Sequence, residues 1–463
     1  MTEFAGQQRW RRSPAPTGAV RTFGRRPRPV LWDSRQAFFT DLAVFVLGFA
    51  GVYSVGLVGA LPGNEILLLP FLPVLLVYKG GRAFNREYFW FWLLVAGWFL
   101  GTLVADAYND LPAVNRMKGI ARVVFFAFDF MAVAILINRK TRRMIVFSLS
   151  ILLYFVFSVG EFRGDFVTQW KFGYSSAFTI LALLAASHYY ARKKYKICIF
   201  IFLLLGALNL YFAFRSQLVI LLIAGALTLP IFENQRALGR RQTRTTSSNF
   251  RNFILLALVA GAIFISDQAI KLAATQGFLG ENTSSKFQAQ SSGKLGVLFG
   301  GRPETLVAIQ AIIDNPIIGH GSFAADPKYL ALKQDLQYEY GYSDTDTPEE
   351  EGGIPTHSHL TMAWVESGIF GGLFWLYILA LVLRAILQTA IHRQPLSPLY
   401  CYFLVNFVWD IFFSPFGSVN RIWGAYFVLL SYSVLRSAKP VPDAPPSRRP
   451  HPTQLPVRRR LAH

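Results

Sequence analysis

Two histidines are the residues of this chain best suited to acid–base chemistry. His357 and His359 flank Ser358 at the end of a long polar stretch, where an apolar segment begins. A histidine at the start of a helix lies at the positive end of the helix dipole, which disfavours the imidazolium and leaves a nitrogen able to accept a proton. Glu366 lies seven residues beyond His359 and shares its helix face. The pattern predicts a general base; the alternatives are two histidines that cap a packed helix, or a zinc site that lacks a third ligand.

Cations at the edges of apolar segments form a second group. Arg215 has apolar residues on both sides at one end of a predicted span, and Arg116, Lys118 and Arg122 cluster at the start of another. An ionisable group within a membrane is costly and is by default a functional candidate. Arginine can bind a phosphate or diphosphate through two parallel hydrogen bonds. The alternative for Arg116 and Lys118 is contact with lipid headgroups.

Two carboxylates lie deeper within the predicted spans. Asp129 and Asp410 are both surrounded by apolar residues. We expect them to pair with arginines such as Arg122 or Arg421, a structural role that needs no substrate.

The composition of the chain is that of an integral membrane protein. Hydrophobic residues make up 53% of its 463 residues, aromatic residues 15% and charged residues only 16%. Apolar runs close to the ~20 residues needed to cross a bilayer recur from Asp41 onward. No cleavable signal with a small-residue cleavage site precedes them, so we expect the first span to be retained. The sequence predicts an all-α membrane protein with about twelve transmembrane helices.

Most of the predicted spans are clear and two are weak. Ile66–Tyr78 is short and contains Pro70 and Pro73, and Phe253–Ser266 falls short of a full crossing. The clear spans are Leu42–Ala60, Tyr88–Ala105, Gly119–Ile137, Met144–Gly160, Tyr174–Tyr190, Ile197–Phe212, Gln217–Phe232, His359–Leu383, Leu399–Phe413 and Ile422–Leu435.

Charge in the connecting segments predicts the orientation. Lys and Arg favour the cytoplasmic side of short loops, and most of them fall on one side if both termini are cytoplasmic. The expected organisation is two disordered cytoplasmic tails, 1–40 and 437–463, transmembrane helices within 41–266 and 358–436, and one large periplasmic loop, 267–357. The formal net charge of +20 then needs no nucleic-acid partner.

The predicted loop carries helix signals of its own. Proline suits the first turn of a helix, so we expect one short helix to begin near Pro303 and another near Pro327. The acidic residues 344–351 lack the spacing and the glycine of an EF-hand, so we expect no metal site there.

Four segments of the second half of the chain follow one another in a characteristic order. They are Phe214-Arg215-Ser216-Gln217-Leu218, Gly301-Arg302-Pro303-Glu304, Asn315-Pro316-Ile317-Ile318-Gly319-His320-Gly321, and His357-Ser358-x-Leu360 followed by Glu366-x-Gly368-Ile369-x-Gly371. This order resembles the signature of bacterial O-antigen ligases and related O-antigen polymerases. The first six spans are similar to that family only in their hydrophobicity.

The resemblance implies a fold and an activity. In that family a large periplasmic loop caps a membrane cavity, as in type C membrane glycosyltransferases, and the protein transfers a glycan from an undecaprenyl-diphosphate carrier to an acceptor sugar without a nucleotide or metal cofactor. It implies the bacterial inner membrane as the location. The implied partners are the lipid-linked glycan donor, an acceptor that is lipid A-core or a lipid-linked repeat, membrane lipids and other polysaccharide assembly proteins, and no nucleic acid.

The resemblance also implies roles by position. Arg215 and Arg302 match arginines that grip the diphosphate, and His357 matches a histidine near the attacking hydroxyl. The family usually has Asn after that histidine, whereas this chain has Ser358 and then His359. Counting back from Glu366 favours His357 and the face shared with Glu366 favours His359, so both stay candidates. The expected catalytic residues are His357, His359 and Arg215, and the expected substrate-binding residues are Arg302, Arg122, Arg116 and Glu366.

The expected reaction is an inverting transfer. Arginines would neutralise the departing diphosphate while a neutral imidazole deprotonates the acceptor hydroxyl. A transporter or flippase of lipid-linked sugars is the alternative, although the sequence lacks the corresponding halves with paired broken helices that transporters often contain. A structural scaffold would not need arginines and histidines on one side. A ligase and a polymerase use the same donor, so the sequence does not separate them.

Overall fold

The computed structural model describes residues 31–56, 59–161, 166–212, 214–229, 303–339 and 353–437, together with scattered residues between 257 and 276. This part of the chain is predominantly helical and includes one short antiparallel hairpin, β1 (Ser54–Gly56) and β2 (Ala60–Pro62). The helices are α1 (Leu31–Phe49), α2 (Gly63–Lys79), α3 (Phe89–Tyr108), α4 (Ala113–Ile137), α5 (Thr141–Ser158), α6 (Phe166–Gln169), α7 (Ser175–Ala191), α8 (Tyr195–Tyr211), α9 (Arg215–Thr228), α10 (Pro303–Asp314), α11 (Pro327–Glu339), α12 (His359–Ile391), α13 (Ser397–Phe413) and α14 (Ser418–Ser437).

The length and composition of these helices make this a helical membrane protein. Among the described residues, six helical segments are long and apolar enough to cross a membrane: Arg35–Val52, Gly63–Arg82, Arg86–Tyr108, Ala113–Ile137, Thr141–Ser158 and His359–Ile391. Shorter apolar helices are α8, α9 and α13. The predicted all-α membrane class is thus confirmed.

The N-terminal region differs from its predicted boundaries. Helix α1 begins at Leu31, so residues 31–40 of the predicted tail are helical. It ends at Phe49, whereas the first span was expected to run to Ala60. The hairpin follows, and the Gly63 amide donates to the Tyr53 carbonyl at 2.7 Å to close it. Hydropathy alone does not distinguish an apolar helix end from an apolar hairpin.

The first weak span is a complete helix. Helix α2 runs through Pro70 and Pro73, and both prolines lie on its exposed side. Proline in a membrane helix is tolerated where local adjustments satisfy the freed carbonyls. Of the second weak span, Phe253–Ser266, only some residues lie within the described chain, and residues 259–261 and 263–266 are helical.

Helix α12 lies at the centre of the bundle, against α3, α13 and α14. Aromatic rings dominate this packing: Trp98 stacks on Phe374 with centroids 5.0 Å apart, and Phe126 and Trp375 both contact Phe416. Offset and edge-to-face arrangements of this kind add stability beyond the area that they bury.

A buried polar network joins α2, α4 and α14. Arg421 donates to both carboxylate oxygens of Glu65, at 2.6 and 2.7 Å, and Asn64 donates to Asp129 at 3.3 Å. The expectation that Asp129 and Asp410 form ion pairs with Arg122 or Arg421 is wrong, because Arg421 pairs with Glu65 and Arg122 with Glu366. A buried guanidinium is costly without a well-placed anion, and Glu65 offers two oxygens in the matching geometry.

Helices α10 and α11 pack on each other outside the membrane helices. Asp314 at the end of α10 accepts hydrogen bonds from Lys328, Tyr329 and Gln310 at 2.7, 2.7 and 2.8 Å. These donors, Lys328 first, lower the pKa of Asp314 to about 2. The buried ring of Tyr329 packs on Val307 and Ala308 in a small core of its own. The two predicted loop helices are therefore present and joined.

The loop reaches the membrane helices at a break in α12. Gly368 has φ 58° and ψ −150° and interrupts the helical backbone. The amides of His320 and Gly321 donate to the carbonyls of Val365 and Glu366 at 2.7 and 3.0 Å, and the Ile369 amide donates to Ile317 at 3.1 Å. The loop backbone thus replaces helix bonds lost at the break.

Candidate functional site

A polar cavity of about 610 Å³ opens between α5, α7, α9, α13 and α14. This volume is in the range of pockets that enclose small organic ligands. Its polar lining residues come from several elements and are Lys171, Ser176, Ser216, Gln217, Glu304, His357, Tyr402, Asn406, Asp410, Ser414 and Asn420. Trp409, Trp423 and several phenylalanines complete the wall, so the cavity combines apolar surface with hydrogen-bonding groups.

His357 lies on the cavity wall and is exposed to it. Its position depends on Ser358, whose hydroxyl accepts from the Thr361 amide at 3.0 Å and donates to the Ile411 carbonyl at 2.8 Å. The first contact makes Ser358 the N-cap of α12, and the second joins α12 to the end of α13. His357 therefore precedes the cap, at a point fixed by two helices.

His359 has a different environment. It is 2% exposed, and the rings of Trp375 and Phe416 lie 4.9 Å from its imidazole. It does not line the cavity, and Glu366 forms its contacts with other residues. Of the two candidate histidines, the structure thus brings only His357 to the cavity.

Helix α9 brings its first turn to the cavity. The neighbours of Arg215, namely Phe214, Ser216 and Gln217, line the cavity, and the Gln217 amide donates to the Tyr402 hydroxyl at 2.5 Å. Arg215, the first residue of α9, is not itself among the residues that line the cavity, but its backbone lies at the cavity edge between Phe214 and Ser216. The hydrogen bond between Gln217 and Tyr402 fixes α9 to α13.

Arg302 lies outside the described residues, but Glu304 lies two positions further on and lines the cavity. Its carboxylate is 3.3 Å from the Lys333 ammonium, an ion pair that joins α10 to α11. The start of α10, and hence the chain next to Arg302, therefore reaches the same cavity as His357.

Arg122 and Glu366 contact each other and the loop. Their side chains form an ion pair, 7% and 13% exposed, between α4 and α12. The Phe323 amide donates to the free Glu366 oxygen at 3.3 Å, and the Phe323 ring lies 4.4 Å from the Arg122 guanidinium. Neither residue lines the cavity. Their predicted role in binding substrate is not supported by this geometry, because the protein itself supplies their partners.

Arg116 is also bound within the protein. Its guanidinium donates to the Asp110 carboxylate at 2.8 Å and to the Leu111 carbonyl at 2.6 Å, which closes the turn between α3 and α4. It does not line the cavity. The contacts explain Arg116 without a substrate.

Asp410 lines the cavity, although its sequence position predicted an ion pair with an arginine. It accepts hydrogen bonds from Asn406 at 2.8 Å and Ser414 at 2.7 Å, and within the described chain no cation lies within ion-pair distance. A carboxylate inside a predicted span is a functional signal by default, but only the packing of α13 shows that it faces the cavity. No group of three residues able to hold a metal ion occurs in the described part of the chain.

The fold and the cavity define the chain as a helical membrane protein with a polar cavity beneath a docked loop. Comparison with models of protein families and with curated protein sequences gives no match.

Proposed function

We propose that the protein transfers a glycan from an undecaprenyl-diphosphate carrier to an acceptor sugar. The observation that carries the proposal is the convergence of His357, the first turn of α9 with Arg215 and the start of α10 on one polar cavity. These three elements are far apart in the sequence, and each contains a motif of the resemblance described above. A donor with a charged diphosphate and an acceptor with free hydroxyls match a cavity that has Lys171 and hydrogen-bonding groups on its wall and the backbone of Arg215 at its edge.

The proposed reaction is a displacement at the anomeric carbon. The acceptor hydroxyl forms the new bond to that carbon while the bond to the diphosphate breaks, and the hydroxyl proton passes to the neutral imidazole of His357. The diphosphate leaves with the electron pair, and Arg215 and Arg302 stabilise its charge. Attack from the face opposite the leaving group inverts the anomeric centre. We assign the base to His357 because His359 is enclosed by aromatic rings.

Asp410 adds a second group that can accept a hydrogen bond from the acceptor sugar. It shares the cavity with His357 and already accepts from Asn406 and Ser414. A carboxylate held in this way orients hydroxyls without moving itself, which favours a fixed position of the acceptor.

The orientation belongs to the same proposal. The protein would lie in the bacterial inner membrane with about twelve spans, both termini in the cytoplasm and the 267–357 loop in the periplasm, where polyprenyl-linked glycans are used. The donor then reaches the cavity from the bilayer and the acceptor from the periplasm.

Reconstituted protein tests the proposal. Purified protein in liposomes, supplied with a lipid-linked glycan and an acceptor, should form new glycosidic bonds without added nucleotide. Arg215→Lys should insert normally and lose transfer, because an ammonium does not replace the planar guanidinium on a diphosphate. Lys171→Arg is the matched control, since it keeps a cation at the cavity wall and exchanges the same two residue types.

Two results would contradict the proposal. Translocation of the lipid-linked glycan without bond formation would identify a flippase, and full activity of Arg215→Lys would remove the arginine from the mechanism. A deletion strain then separates the two transferases: a single attached repeat indicates a polymerase, and accumulated long lipid-linked chains indicate a ligase.

A further inference from the structure

A cluster of cations lies at the opposite end of the bundle from the cavity. The cavity is lined by the second half of α5 and the first half of α14, whereas the cluster lies at the start of α5 and near the ends of α2 and α4. Lys79 and Arg82 lie at and just after the end of α2, Lys140 and Arg143 lie at the start of α5, and Arg82 and Arg143 both donate to carbonyls in the last turn of α4, those of Ile135 and Leu136. Cations held this close together cost free energy unless anions compensate them.

The protein compensates only part of this charge. Arg143 pairs with Asp41 at 3.2 Å and donates to the Leu136 carbonyl at 2.7 Å. Arg82 donates to the Ile135 carbonyl at 3.2 Å, at the negative end of α4.

The other carboxylate contacts at this end go to other arginines, and Asp41 also pairs with Arg142 at 2.8 Å. Glu87 pairs with Arg139 at 2.7 Å and with Arg436 at 3.4 Å. Across the described ranges, no carboxylate lies within ion-pair distance of Lys79, Arg82 or Lys140. Lys140 is exposed and Lys79 and Arg82 are half-buried, so all three remain accessible to a ligand.

The surroundings of the cluster place it at the level of lipid headgroups. Tyr78 is 79% exposed, Phe84 56% and Trp90 58%, on the outside of the segments that carry or follow the cations. Exposed Tyr and Trp rings at the ends of membrane helices are typical of the boundary between hydrocarbon and water. Phosphate groups of the bilayer lie at this depth.

We propose that Lys79, Arg82 and Lys140 bind the phosphodiester headgroup of an anionic phospholipid. The Arg82 guanidinium, fixed by the Ile135 carbonyl, has further N–H groups for two phosphate oxygens, and the two ammonium groups supply the remaining charge. Basic pockets between membrane helices bind anionic lipids by this chemistry. The exposed aromatic rings contact the acyl chains beside it. The site joins α2 to the α4–α5 turn and does not depend on the proposed glycan transfer.

Titration of the full chain with phosphatidylglycerol, followed by native mass spectrometry, tests the site. The wild-type protein should retain one phosphatidylglycerol molecule in preference to phosphatidylcholine. The variant Lys79→Gln/Arg82→Gln/Lys140→Gln should bind that lipid about 100-fold more weakly, since each of the three cations near a headgroup contributes about 1 kcal/mol and about 1.4 kcal/mol is a factor of ten.

A matched variant keeps the test specific. Arg192→Gln/Lys193→Gln/Lys194→Gln removes the same charge from the turn between α7 and α8 and should retain the lipid. Equal loss in both variants, or no loss in the first, would overturn the proposal. Because Arg82 also bonds to α4, Lys79→Gln/Lys140→Gln provides a version without that change and should show an intermediate loss. Displacement of the lipid by inorganic phosphate at equal concentration would instead assign the site to free phosphate and refute a lipid site.

Discussion

At the scale of single residues, one serine decides which of two histidines reaches the cavity. Ser358 caps α12, so His357 before it lies outside the helix and is exposed, and His359 after it belongs to the first helical turn and is buried. The sequence predicted a helix start here, but it did not predict which residue is the cap. Both histidines therefore remained candidates, and the contacts of Ser358 with the Thr361 amide and the Ile411 carbonyl separate them.

Substitution of the two histidines should give different losses. We expect His357→Ala to lower glycan transfer by roughly 10²–10⁴-fold, the usual contribution of a general base, with little change in thermal stability because the side chain is exposed. His359→Gln should instead lower the melting temperature, since it places an amide between the Trp375 and Phe416 rings. Transfer rates in liposomes and melting monitored by tryptophan fluorescence measure both effects. A stable His359→Gln protein without activity, beside an active His357→Ala protein, would reverse the assignment.

The ionisable residues show which roles could be predicted from the sequence and which could not. Their position within spans identified Arg122 and Glu366 as unusual, yet the partners that explain them, each other and Phe323, lie far away in the chain. Asp410 shows the reverse: the sequence predicted an ion pair within the protein, but the side chain lies on the cavity wall. Sequence position thus reveals that a membrane charge needs a partner, but the fold determines whether that partner is protein or ligand.

At the scale of elements, α12 shows what hydropathy misses. Its 33 residues form one apolar run, about 50 Å long at 1.5 Å per residue and therefore longer than the hydrocarbon core. The break at Gly368 leaves a short N-terminal piece that carries Ser358 at its cap and a long piece that can cross. Hydropathy is continuous through the break, because the cause is a loop segment that comes from about fifty residues upstream. The C-terminal end of α1 was misplaced for a related reason, since the hairpin after it is also apolar.

Replacement of Gly368 tests the break. A Cβ at this position would collide with the Ile317 carbonyl, and the backbone conformation alone costs other residues roughly 1–3 kcal/mol. We expect Gly368→Ala to lower the melting temperature and to reduce transfer, because α12 and the loop must both shift. Gly97→Ala in α3 is the control, since its Cβ would meet only the Phe370 ring at 3.7 Å. Equal stability of the two variants would show that the loop is not held at the break.

The contact between α10 and α11 should depend on pH through Asp314. Because the pKa of its carboxyl is lowered from 3.8 to about 2, the ionised form stabilises the folded state. That contribution is complete above pH 4 and is lost as the pH falls towards 2. The protection of the α11 amides against hydrogen exchange, relative to the intrinsic exchange rate at each pH, should therefore fall over this range in the wild-type protein. Asp314→Asn should exchange faster at neutral pH and show a smaller dependence; an unchanged pH profile would contradict the assignment.

At the scale of the whole molecule, the distribution of Lys and Arg predicts on which side of the membrane each loop lies, which packing alone does not. The 267–357 loop and the turn between α7 and α8 should lie on opposite sides of the membrane. Cys198 and Cys401 are both buried, so a single introduced cysteine gives a clear signal. Gln334→Cys should react with a membrane-impermeant maleimide once the outer membrane is opened, and Lys194→Cys only after the inner membrane is disrupted. Reaction of both residues from the same side would invalidate the predicted orientation.

The membrane class could be predicted from composition because it depends on a sum over the whole chain. Apolar content and run length are properties of the residues themselves, and the six long apolar helices of the described chain follow from them. The cavity depends instead on which faces of α5, α9, α13 and α14 meet. Those faces were not predictable, because helices in a bilayer lack the polar and apolar sides that mark orientation in water.

The docking of the loop at the break in α12 defines the smallest unit that could be exchanged between related proteins. The segment from Ile317 to Gly321 completes the hydrogen bonds of Val365, Glu366 and Ile369, so each side of the contact is incomplete alone. A chimaera that replaced residues 267–357 would leave the break in α12 without the loop backbone that bonds to it. A compatible graft would have to extend through Ile369 and carry Asp106 as well, because the Ser322 amide and hydroxyl both donate to that carboxylate.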